Sequence, residues 1–163
     1  MDTKMPFYNI VNILLTGFIF IGSCIIIYFN DFLCMINSPL LMPSSLISES
    51  IITFSLIAVI YEIGLIINRF GSIVIEPILI KLRIIPFNKN YKLFNERKVT
   101  YPSLEILSRE YALSRTSLTL FLIASILAFS HVQLSIGLVF LSISILFALS
   151  SRKHSGKIVK LME

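Results

Sequence analysis

No charged residue lies between Met5 and Asn30, and the core of that stretch, Ile10 to Tyr28, has roughly the twenty apolar positions needed to cross a bilayer about 30 Å thick. A second apolar run, Ile51 to Asn68, is interrupted only by Glu62. Thr116 to Ser151 then gives 36 consecutive uncharged residues. As one straight helix these would measure about 54 Å at about 1.5 Å per residue, too long for one crossing. The chain must fold back, and the polar group Ser130, His131, Gln133 marks the expected turn. The pattern predicts an all-α fold: a transmembrane four-helix bundle forming one membrane domain over residues 1–163, with spans at about 10–28, 51–68, 116–130 and 134–150.

The spans are not uniformly apolar. Asn9, Thr16, Ser23 and Asn30 recur every seven residues, with Asn12 on the same side. Seven residues rotate a helix through almost two full turns, so these groups form one narrow stripe. The second span repeats the rhythm with Ser48, Ser55, Glu62, Arg69 and, if the helix continues, Glu76. Polar groups at hydrocarbon depth need partners, so both stripes are expected to face other helices or water. In the fourth span Gly137, Ser144, Ala148 and Ser151 share a face of small side chains that lets helices approach closely, within the chain or between subunits.

Composition agrees with this reading and adds orientation. Of 163 residues 56% are hydrophobic and 14% charged, against about a quarter charged in a soluble domain; the mean hydropathy is +0.88. The 14 Lys and Arg outnumber the 9 Asp and Glu, for a net charge of +5. Lys4 precedes the first span, nine basic residues lie from Arg69 to Arg115, and four follow Ser151. Because loops rich in Lys and Arg stay in the cytoplasm, all 14 fall on one side of a four-span chain with both termini cytoplasmic. Residues 71–115 then form one cytoplasmic connection of about 45 residues.

Candidate chemistry is sparse. Cys24 and Cys34, ten residues apart, would be about 15 Å apart along a helix, beyond the reach of a disulfide. His131 and His154 are too few and too separated for a metal cluster, and Ser130 and His131 on one turn cannot act as nucleophile and base toward each other. The chain has no Gly-rich phosphate loop, no H-E-x-x-H and no G-x-S-x-G. No enzyme activity, cofactor or metal is expected.

Glu62 is the most informative residue, about four positions or roughly 6 Å from the middle of its span. A carboxylate there costs about 2.5 to 3.5 kcal/mol on insertion scales, so it is normally paired, neutralised or open to a cavity. An interhelical hydrogen bond or an ion pair with Arg69 would satisfy it, and so would a ring of Glu62 residues lining a cation pathway in an oligomer. Four spans are too few for one copy to enclose a water-filled path. In the connection, Pro86 to Asn90 reads as a turn, and Ile78 to Ile85 suits a strand or a short helix. A new helix is expected from Pro102 or Ser103 into the third span, supported by Glu105 and Arg109 at i,i+4. Between them Lys89, Tyr91, Lys92, Phe94, Arg97, Lys98 and Tyr101 interleave cations and rings. That combination suits a nucleotide or single-stranded nucleic acid, and equally a membrane interface with no ligand.

Four spans, both ends inside, an acidic residue within the second span and one basic connection together resemble the small membrane effectors of bacterial anti-phage defence systems, such as the membrane subunits of Hailong or Kiwa. The resemblance covers the whole chain as architecture. It implies a homo-oligomer in the bacterial inner membrane, an ion-conducting pore, and control by a cytoplasmic nucleotidyltransferase or sensor partner acting through the basic connection. A non-conducting scaffold that recruits a cytoplasmic partner and a small proton-coupled transporter are the other readings of the same residues.

Overall fold

A computed structural model describes residues 5–29, 46–86 and 91–162. All the regular structure among them is helical. The elements are α1 (Met5–Ile27), α2 (Leu46–Phe70), a π-helical turn (Gly71–Ile75), α3 (Glu76–Lys81), α4 (Tyr91–Thr100), α5 (Ser103–Ser130) and α6 (Leu134–Met162). Four helices are long and apolar enough to cross a membrane: α1, the rod made by α2 with the π turn and α3, α5 and α6. The chain is a multi-pass membrane protein. Asn30 and Cys34 lie outside the described residues, as do Lys89 and the turn expected around it.

The helices pair as two antiparallel hairpins. In the first, α1 and α2 meet backbone to backbone: a Cβ at Gly17 would fall on the Ile60 carbonyl oxygen, and one at Gly64 on the Ile13 carbonyl oxygen. Each helix thus offers a glycine groove to the carbonyl that precedes its partner's glycine by four residues. Small residues at such crossings are what membrane helices use in place of a hydrophobic drive.

The second hairpin, α5 with α6, is the tightest pairing in the fold. It places the small face of α6 inside the chain. Ser144 Oγ donates to the Leu118 carbonyl at 3.2 Å, Ser114 and Ser150 hydroxyls lie 3.0 Å apart, and Gly137 packs on the Phe129 ring. The turn between the two helices occupies His131 to Gln133, with Val132 left-handed at φ 60°.

Contacts at both ends of the bundle join the hairpins and fix which ends coincide. At one end Gln133 Nε2 donates to the Ile27 carbonyl at 2.7 Å, and the Tyr28 and His131 rings meet edge to face at 4.1 Å. At the other, the Arg109 guanidinium lies 5.8 Å from the Tyr8 ring, and within the second hairpin His154 Nδ1 is 3.0 Å from Glu110 Oε2. The start of α1 and the end of α6 therefore sit at the same end of the bundle, together with the charged half of α5. That end is knit by a buried cluster that includes Leu79, Ile85, Leu104, Tyr111 and Ile158. The α5 helix begins with Pro102 at its cap, and Glu105 sits in the first turn, where the helix dipole favours a negative charge. Glu105 holds Lys98 of α4 at 3.1 Å and also Arg109. At 29 residues, α6 continues well past the uncharged span into the basic tail.

Candidate functional site

The two polar stripes behave differently. On α1, Thr16 and Ser23 are buried in the bundle. Their hydroxyls donate to the carbonyls of Asn12 and Ile19 in their own helix, each at 2.8 Å. Hydroxyls satisfied at i−4 need no neighbour, and the burial of these two residues agrees with the expectation that this stripe faces other helices. Asn12 is half-buried and Asn9 exposed.

On α2, Ser55, Glu62 and Arg69 are all exposed on the single chain. They alternate with exposed Ile52, Val59 and Ile66, although from Ile51 to Val59 the helix is exposed on every side. The combined spacing from Ile52 to Arg69 is three, four, three, four, three, a heptad seam with β-branched apolar residues at one position and polar residues at the other. Among the described residues Glu62 and Arg69 form no ion pair with each other. Among the described residues nothing pairs with the carboxylate, which is exposed within the second candidate span.

Glu76 leaves that line. Seven residues after Arg69, an unbroken α-helix would keep it on the exposed face. The π turn at Gly71–Ile75 takes up an extra residue and swings the downstream helix by about 100°. Glu76 is consequently buried, 6% exposed, and its Oε2 accepts from Arg115 of α5 at 2.5 Å. The Arg115 guanidinium also stands 5.8 Å from the Tyr111 ring. Next to it the Thr116 hydroxyl lies 2.9 Å from both Asn68 Oδ1 and the Ala112 carbonyl. These contacts pin the rod to α5 where the apolar spans meet the charged end.

The mixed basic and aromatic segment is partly committed already. Phe94 packs against the buried cluster, which withdraws its ring from base stacking. Lys98 is tied to Glu105 and Arg97 is partly buried, while Lys92 and Tyr101 are exposed. Tyr91 opens α4, and Lys89 lies outside the described residues. Leu93 and Phe94 hold the segment against the buried cluster over α5 and α6, while Lys92 and Tyr101 stay open.

No protein-family model, curated protein or solved structure matches the chain. Its chemistry has to be read from its own geometry. Among the described residues no group of His, Cys, Asp and Glu is placed to hold a metal. The feature that spacing alone missed is the Glu76 and Arg115 pair. Its only sequence signal is that each charge borders an apolar run.

Proposed function

We propose that this chain is one subunit of an oligomeric, ion-conducting membrane effector of a bacterial inner membrane, with both termini cytoplasmic and α2 lining the shared path. The observation that carries this reading is the exposure of Glu62 on the Ser55, Glu62, Arg69 line. A charge at that depth is stable only when covered or watered, and the described helices do not cover it. Copies of α2 associating along the Ile52, Val59, Ile66 positions would bury the apolar half of the seam and bring the carboxylates into a ring. Such a ring attracts cations. Arg69, one heptad or about 10 Å closer to the charged end, can extend its guanidinium toward the headgroups.

The resemblance to defence effectors supplies the biological setting: a cytoplasmic partner, a nucleotidyltransferase or sensor, or the nucleotide or nucleic acid it provides, would set the gate. In this reading it acts on the α4 cap through Lys92 and Tyr101, the positions not already engaged with the bundle.

The test is cation flux into liposomes holding the purified protein, read beside its mass in detergent. An oligomer whose cation over anion preference falls about tenfold in Glu62→Gln and reverses in Glu62→Lys supports the proposal. A monomeric species, or a selectivity that both substitutions leave unchanged, overturns it.

A further inference from the structure

The basic tail after Ser151 is a rigid continuation of α6. Ser151, Ser155, Ile158 and Met162 are buried against the bundle, which fixes the direction of the opposite face. Along that face Leu138, Ile145, Leu149, Lys153, Gly156 and Lys160 follow one another at spacings of seven, four, four, three and four, so they form one straight line on the helix. Its first half is apolar and open, with Leu138, Ile145 and Leu149 57%, 54% and 56% exposed. Its second half is cationic. Arg152, Lys153, Lys157 and Lys160 are exposed, and among the described residues none of the four takes part in an ion pair. Gly156 lies between them with open space where a side chain would project. Together with Leu149 these residues, all on one face of α6, line a shallow, open groove.

We propose that this groove is a binding site for an anionic phospholipid, with the phosphate held among Arg152, Lys153, Lys157 and Lys160 over Gly156 and an acyl chain lying along Leu149 and Ile145. The site rests only on α6 crossing the bilayer, and stands whether or not the protein conducts. Three features select this ligand. The cationic groove opens directly onto the lipid-depth stripe of the same helix, so one molecule with a charged head and an apolar tail fits both halves. Among the described residues no acidic side chain lines the groove, so the ammonium of a zwitterionic headgroup finds no carboxylate partner among them. No aromatic ring lines it either, which leaves a nucleotide base nothing to stack on. Each cation near an anionic headgroup contributes about fivefold in affinity.

Native mass spectrometry of the full chain in detergent tests this, with short-chain phosphatidylglycerol, short-chain phosphatidylcholine and glycerol 3-phosphate as probes. Phosphatidylglycerol should bind at least tenfold more tightly than phosphatidylcholine. Lys153→Ala with Lys157→Ala should weaken it about 25-fold. Gly156→Leu, which keeps every charge and fills the groove, should weaken it at least tenfold while the helical signal and Tm do not fall. Equal binding of the two lipids, or phosphatidylglycerol binding that ignores both variants, overturns the site. Glycerol 3-phosphate bound as tightly as phosphatidylglycerol overturns the lipid assignment in favour of a soluble phosphate.

Discussion

Arg115→Met is expected to destabilise the bundle by about 3 to 5 kcal/mol, the usual result of leaving one member of a buried ion pair without its partner. Glu76 has only 8% of its side chain exposed and Arg115 only 13%, so neither reaches bulk water once its partner is gone. Glu76→Gln should cost less, because a neutral amide can still accept from the guanidinium. Replacing both residues, Glu76→Leu with Arg115→Met, should recover most of the loss. Arg115 Nε is buried with no hydrogen-bond partner, so the native pair is incompletely satisfied and an apolar substitute forfeits little. Thermal unfolding in detergent, run as a double-mutant cycle, measures this. A single Arg115→Met variant as stable as the native chain would show that water reaches the pair.

Gly64→Leu and Gly17→Leu form the second prediction. A Cβ at either position meets a backbone carbonyl, and backbone cannot rotate aside as a side chain can. The α1 and α2 axes would have to separate, at a cost of about 3 kcal/mol or more, the upper end for overpacked sites. Gly22→Ala is the control, because nothing lies within 4 Å of a Cβ there and it should be neutral or stabilising by up to about 1 kcal/mol. Cysteine cross-linking between α1 and α2 reports on the hairpin directly. Efficiency should fall severalfold in the Leu variants and hold in Gly22→Ala. Undiminished cross-linking in Gly64→Leu would mean that the helices do not meet at this crossing.

Much of the architecture is legible in the chain because charge is excluded from lipid. The long uncharged runs mark four apolar helices, the Ser130, His131, Gln133 group marks the fold-back, and Pro102 with Glu105 and Arg109 marks the start of α5. These signals are local and need no knowledge of partners. Which face a polar residue occupies is a different matter. Thr16 and Glu62 belong to equally regular heptads, yet one is buried and satisfied by its own helix while the other is open. The difference lies in what packs against each helix. The commitment of Phe94 to the buried cluster depends likewise on α4 folding over α5. The pairing of Glu76 with Arg115, 39 residues away, arises from a change of helical register that the run Gly71 to Ile75 does not announce. The number of cations in the tail is plain from the sequence, but their alignment with Leu149 emerges only once α6 is seen to continue past Ser151.

That register change also ties assembly to integrity. One surplus peptide unit between Phe70 and Glu76 decides whether three successive acidic or basic positions look the same way or two look out and one looks in. Removing a single residue from the turn would let the rod relax to ordinary winding, carry the Glu76 carboxylate around toward Glu62 and Arg69, and strand Arg115 inside. The outward seam and the inward clasp are therefore two outcomes of one rod, set by a phase shift smaller than a single helical turn.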